Sequence, residues 1–301
     1  MSILVVGSVA YDTVETPFGR AERVLGGSAS FFSVAAAFFS PVNLVGVVGG
    51  DFGEAQLAAF RGRPIDLAGL ERMEGRTFHW QGRYSWDLNS RETVCTDLNV
   101  FEFFEPKIPE LYRRSDYVFL GNIDPVLQRR VLDQVDRPKI VACDTMNFWI
   151  HGKPAELRET LKRVQILLIN DAEARELSGE WNLVKAARAI RAMGPRTLVV
   201  KKGEHGVLMF DDAGFAAPAY PLEQVFDPTG AGDTFAGGFL GYLASTGRHG
   251  DDVLRRAVIM GSTLASFCVE AFGLDRLLTL TRPEIDERYR LFRRLTQFEE
   301  V

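Results

Sequence analysis

Residues 227–234 read Asp-Pro-Thr-Gly-Ala-Gly-Asp-Thr, and an apolar helical pattern follows over 235–244. Gly230, Ala231 and Gly232 are small enough for a ligand to approach the backbone closely. Their N–H groups fall where a helix begins, and the dipole there favours an anion. Asp233 adds a carboxylate at the same mouth. A carboxylate beside an anion hole is costly unless the acid accepts a proton while the hole neutralises a phosphate, which is what phosphoryl transfer to an alcohol requires. The plain alternative is an ordinary turn with Asp233 as a helix cap or first-turn acid. The full run, with aspartates at both ends and Thr229 between them, favours the phosphate reading.

Around this stretch, apolar β-branched runs recur at 3–6, 42–48, 117–120, 139–143, 166–169 and 198–200. Helical patterns lie between most of them, at 30–39, 125–135, 155–164, 171–177 and 183–193, with further helices near 234–245 and 253–269. Strands that are apolar on both faces and alternate with helices predict a mostly parallel sheet covered on both sides, an α/β fold with its sites at the carboxyl ends of the strands. Residues 77–86 break this rhythm: Phe78, Trp80, Gly82, Tyr84 and Trp86 alternate with Thr77, His79, Gln81, Arg83 and Ser85. A period of two is a strand with one apolar face. With Asn89-Ser90 as a turn and 92–100 alternating again, a β-hairpin is predicted, and 11–24 can add another strand to it. Such a hairpin serves as a lid that keeps water from competing with the acceptor, or as a sheet-to-sheet dimer contact.

Composition sets outer limits. The chain has 301 residues, 46% hydrophobic and 25% charged, with a net charge of −5. That is ordinary for a soluble globular protein. No lysine-rich block or basic helix argues for nucleic acid, and no apolar run is long enough to span a bilayer. The start, Met-Ser-Ile-Leu-Val-Val-Gly, runs straight into a strand without a signal-peptide pattern, so a cytoplasmic location is expected. Cys95, Cys143 and Cys268 are scattered and read as small core residues, and His79, His151, His205 and His249 lack metal-ligand spacing.

At this point the chain resembles the ribokinase-like, or phosphofructokinase-B type, carbohydrate kinases over nearly its whole length. The resemblance is carried by Asp227-Pro-Thr-Gly-Ala-Gly-Asp233-Thr-Phe-Ala-Gly-Gly-Phe, by Gly26-Gly27-Ser28-Ala29-Ser30 with Val45-Gly-Val-Val-Gly-Gly-Asp51-Phe-Gly53, by Asn170-Asp-Ala-Glu173, and by Lys202-Gly203-Glu-His-Gly206. It is similar to bacterial members described as nucleoside or sugar kinases. The resemblance implies one domain over 1–301, a three-layer α/β/α sandwich with a mostly parallel central sheet and a small β lid contributed by about 11–24 and 77–104. It implies ATP-dependent transfer to a primary hydroxyl of a small-molecule nucleoside or sugar, with an adenosine kinase-like nucleoside kinase slightly favoured, a simple sugar kinase as the alternative, and a non-catalytic sugar- or nucleotide-binding regulator as a further one.

Roles follow for the matching positions. Asp233 is the implied base, and Gly230, Ala231 and Gly232 the donors to the transferred phosphoryl group. Asn170 and Glu173 act through magnesium and its waters, while Lys202, Gly203, Gly206 and Thr229 lie along the ATP channel. Asp12, in Gly7-Ser-Val-Ala-Tyr-Asp, takes sugar hydroxyls, and Gly26, Gly27, Ser28 and Ser30 let substrate lie against the backbone. Asp227 and Thr229 match positions that help hold a monovalent cation, K⁺. Ser30 stands where many members carry Asn, and Phe31-Phe32 make that wall more apolar. From the residues alone, Asn170 and Glu173 equally form a capping box. Asp144 and Asn147, in Asp144-Thr-Met-Asn147, equally face ligand or stabilise a loop. A homodimer through the lid is a further expectation.

Overall fold

A computed structural model describes residues 1–297 and Glu299. Its strands are β1 (Ile3–Val6), β2 (Ala10–Thr16), β3 (Gly19–Gly26), β4 (Val42–Val48), β5 (Ile65–Arg72), β6 (His79–Tyr84), β7 (Arg91–Asp97), β8 (Tyr117–Leu120), β9 (Ile140–Asp144), β10 (Ile166–Asn170), β11 (Thr197–Lys201), β12 (Val207–Phe210) and β13 (Phe215–Ala217). Nine of them form one sheet in the order β13-β12-β11-β10-β9-β8-β1-β4-β5. The pairs from β11 through β5 are parallel, and β12 and β13 join antiparallel.

The alternation within β1 shows why the sheet is covered twice. Ile3 and Val5 enter one core with Phe32, Phe235, Val258 and Ile285; Leu4 and Val6 enter a second core with Val131, Leu157, Ala174 and Ile190. The first core is closed by the helices Ser28–Ala36, Ala231–Thr246, Asp251–Cys268 and Arg282–Thr296. The second is closed by Pro125–Leu132, Pro154–Leu161, Asp171–Ser178 and Leu183–Arg191. The result is the expected α/β/α sandwich with a mostly parallel central sheet. Both neighbours of β1, β4 and β8, are parallel to it, and the chain proceeds outward in opposite directions from them, so a switch point lies between β1 and β8.

The second sheet has the order β3-β2-β6-β7. The hairpin expected from the 77–86 alternation is β6 and β7, paired antiparallel from His79↔Asp97 to Tyr84↔Arg91. The segment expected to add one strand supplies two, since β2 and β3 are themselves an antiparallel pair. Beyond β7, Asn99–Phe103 is a 3-10 turn whose Val100 packs into the second core of the main sheet with Phe104. Strands β5, β12 and β13 and the helix Arg282–Thr296 were not foreseen in the sequence. Phe31 and Phe32 are fully buried; the Phe31 ring packs on Gly230, and Phe32 stacks on Phe119 with ring centroids 4.2 Å apart.

Candidate active site

The helix Ala231–Thr246 starts at Gly230, which has φ 74° and therefore sits in the left-handed region that suits glycine. The first N–H groups of a helix have no partner within it. Here the Ala231 N–H is held by the Pro228 carbonyl at 3.2 Å, while no acceptor among the described residues meets the Gly230 or Gly232 N–H. Asp233 lies in the first turn and keeps part of its surface open to solvent. Its carboxyl pKa is raised to about 7, first by burial and then by Asp144, against the pull of Lys201 and Arg91.

Asp144 ends β9 and Lys201 ends β11, on either side of β10. Lys201 Nζ donates to Asp144 Oδ2 at 3.1 Å, and both side chains are largely buried. Burial works against the ammonium, yet Asp144, Glu173 and Asp233 together hold its pKa above the usual lysine value. Neither Lys201 nor Arg91 was singled out in the sequence. Lys201 reads locally as the tail of an apolar strand, and Arg91 as one more charge in a polar hairpin. Of the pair left open after β9, Asp144 joins the charge cluster. Asn147 is exposed, and its Oδ1 accepts from the Phe148 N–H at the start of the helix Asn147–Gly152.

Asn170 and Glu173 form the capping box in full. Asn170 Oδ1 accepts from the Glu173 N–H at 2.8 Å, and Glu173 Oε2 accepts from the Asn170 N–H at 2.9 Å. The box does not displace the functional expectation: Asn170 closes β10 at the carboxyl edge of the sheet, and burial and Asp144 raise the Glu173 pKa to about 7.

Asp12, on β2, is 6% exposed. A Cβ at Gly26 would stand 1.9 Å from its Oδ2, so only glycine admits this carboxyl. Burial, Asp227 and Asp233 push its pKa up to about 7, and the Gly27 N–H and Arg91 oppose them. Ser28 is buried and engaged with Ser8 through its hydroxyl. Ser30 is fully buried and its Oγ has no hydrogen-bond partner among the described residues. Asp227 is 1% exposed; its oxygens accept from the Thr229 N–H at 2.8 Å and the Gly273 N–H at 3.1 Å. Each oxygen retains a lone pair.

The lid spans this arrangement. Asp12 on β2 pairs with Trp80 on β6, and the Arg91 guanidinium stands 5.3 Å from the Trp80 ring centroid. Thr229 Oγ1 donates to the Tyr84 hydroxyl at 3.2 Å. At the hairpin tip, Asn89 Nδ2 donates to Glu204 Oε1 at 3.0 Å, within the turn that contains Lys202, Gly203 and Gly206. One hairpin therefore touches the Asp12 side, the glycine-rich helix start and the 202–206 turn. Two surface hollows, of about 550 and 480 Å³, are lined by other residues, including Arg158 and Lys162 in one and Phe103 and Lys153 in the other. Among the described residues, no helix is long and apolar enough to cross a membrane.

The model of the pfkB family of carbohydrate kinases matches residues 2–279, and the chain belongs to that family. A cytidine kinase of Thermococcus kodakarensis is 32% identical over 263 residues, covering 85% of this chain and 92% of that protein. Two solved structures share the fold. The nucleoside kinase of Burkholderia thailandensis in complex with inosine has a TM-score of 0.75 at 20% identity, over 96% of this chain and 98% of that one. The ribokinase of Giardia lamblia has a TM-score of 0.79 at 18% identity, over 97% and 99%. The protein is a ribokinase-like phosphotransferase with an alcohol group as acceptor, and the family implies ATP as phosphate donor.

Proposed function

We propose that the chain transfers the γ-phosphoryl group of ATP to the primary hydroxyl of a nucleoside, with Asp233 as base and the Gly230 and Gly232 amides as the anion hole. The observation that carries this reading is the convergence at one helix start of a carboxyl with a raised pKa and two N–H groups that meet no acceptor among the described residues. The acceptor oxygen forms its bond to the γ-phosphorus as the bond from that phosphorus to the bridging oxygen breaks. The electron pair stays with ADP, and the hydroxyl proton passes to Asp233. A positioned base contributes about 10²–10⁴-fold, and one anion-hole donor about 3–4 kcal/mol. Two such donors together with alignment outweigh base strength, as suits a loose transition state.

Among the described residues, no group of three or more His, Cys, Asp and Glu side chains could hold a metal ion. Magnesium would be carried chiefly by phosphate oxygens and water, with Glu173 reaching it through a water, since Mg²⁺ keeps several of its own. Magnesium would neutralise phosphate charge. The lone pairs left on Asp227 suit a monovalent cation beside Thr229.

The nucleoside is favoured over a bare sugar by the 32% identical cytidine kinase and by the Trp80 indole on the strand beside Asp12. A carboxylate accepts hydroxyl hydrogen bonds strongly and suits the vicinal diol of a ribose. ADP release measured side by side with cytidine, adenosine, inosine, ribose and fructose tests the choice. Turnover highest with a nucleoside is expected; ribose or fructose turned over faster than every nucleoside would overturn it.

A further inference from the structure

We infer that Lys201 is a catalytic residue of this site: its ammonium completes the anion hole beside Gly232 and touches the phosphoryl group in flight, and Asp144 is the positioning residue that aims it. The inference rests on the kinase reading above and adds to it a group that none of the glycine-rich or acidic motifs contains.

The geometry begins at Gly232. A Cβ built there would stand 3.0 Å from Lys201 Nζ, with the Lys201 methylenes Cε and Cδ next nearest. The lysine therefore reaches along the sheet edge and sets its charge against the third residue of the amide cradle. Glycine at this position leaves room for that approach. The helix start supplies only partial positive charge, about half an elementary charge. A phosphoryl group in transfer carries far more, spread over three oxygens. A fixed ammonium at the same spot supplies the remainder without reorganising during the reaction.

The surroundings argue against a purely structural ion pair. Burying two charges costs several kcal/mol per ion, and apolar residues of similar size serve stability as well or better. Here the ammonium also faces more acids than its one hydrogen-bonded partner requires, because Glu173 and Asp233 act on it as well as Asp144. Arg91 also acts on this site, but it belongs to β7 of the lid sheet, whereas Lys201 and Asp144 end central strands of the main sheet. In the transfer step the ammonium keeps its protons throughout: the acceptor proton goes to Asp233, the bridging oxygen leaves with its electron pair on ADP, and Lys201 only balances charge.

The test compares K201M, D144N and the K201M/D144N double variant with the parent, using ATP, magnesium and the best acceptor of the panel. Steady-state kinetics and thermal unfolding are measured on each. The expected result for K201M is a kcat about 10²–10³-fold lower, the scale of a lost oxyanion donor, with the acceptor KM changed less than threefold. The double variant removes both buried charges, so its unfolding midpoint should return towards the parent while its kcat stays as low as that of K201M. If Asp144 acts only through Lys201, D144N lowers kcat in the parent and adds no further loss in the K201M background. Recovery of kcat in the double variant to within a few fold of the parent would overturn the inference and leave a structural pair. So would a normal kcat in K201M when D233N is inactive, an outcome that leaves the kinase reading standing. Absence of ADP release by the parent with every acceptor would sink that reading and this inference together.

Discussion

Replacing Asp12 with Asn should make the protein more stable at alkaline pH and a worse binder of its acceptor. Asp12 is 6% exposed, and its carboxyl pKa rises from 3.8 to about 7 through burial and the charges of Asp227 and Asp233. A shift of about three units corresponds to about 4 kcal/mol. The folded state keeps the Asp12 proton where the unfolded chain has lost it. Stability is therefore highest below the unfolded pKa, falls as pH rises from about 4, and levels off above about 7. Asn is nearly isosteric and cannot ionise, so D12N loses this slope. At about 2 °C per kcal/mol for a chain of this length, the melting temperature of D12N relative to the parent should climb by about 8 °C between pH 4 and pH 8. The same change removes the charge that accepts the diol, where hydrogen bonds to a charged group are worth about 1.5–3 kcal/mol, so the acceptor KM should rise at least about tenfold. Calorimetric unfolding from pH 4 to 8.5, paired with acceptor kinetics, reads both effects. A pH-independent stability difference between the two proteins, or an unchanged KM, would refute the argument that this carboxyl is held under strain for substrate.

Other outcomes follow from the same site. The Asp233 carboxyl must be ionised to accept a proton, so kcat at saturating acceptor and magnesium should rise with pH through a limb near 7, set by the raised pKa, and that limb should be absent from residual D233N activity. Glu173→Gln keeps an oxygen for the capping box but loses its charge; the magnesium concentration for half-maximal rate should rise several fold, and an unchanged magnesium dependence would remove Glu173 from phosphate handling. Asn89→Ala breaks the exposed contact with Glu204, so the ATP KM should increase up to about tenfold with the acceptor KM held; equal effects on both would argue that the hairpin tip does not report on the 202–206 turn. Val94 and Leu98 leave the lid with exposed apolar surface. If that face pairs two copies, Val94→Glu should halve the solution mass, and a monomeric parent would exclude such pairing.

The central sheet was legible because its strands are apolar on both faces, as β1 and β8 are, buried along their whole length. β5 escaped notice because it is an edge strand with a mixed pattern, half of it exposed; β12, as short as β1, is buried only at alternate residues, and β13 has three residues. The lid hairpin declared itself through strict alternation, and β3 did not, since Arg20, Glu22 and Arg23 interrupt its apolar residues and most of the strand is exposed or half-buried. In the site, residues that depend on local chemistry were readable: glycines at a helix start, an acid in the first turn, a capping box. The Lys201–Asp144 pair was not, because its partners are 57 residues apart and meet only when β9 and β11 flank β10. Phe31-Phe32 stayed open in the sequence, since an apolar pair beside a glycine motif looks the same whether it lines a pocket or fills a core.

The most direct test of the account is Asp233→Asn assayed for ADP formation with ATP, magnesium and the preferred acceptor, alongside calorimetric binding of both ligands. The account predicts binding of each within a few fold of the parent and a kcat lower by about 10²–10⁴. A variant that binds both ligands and turns over near the parental rate would contradict it.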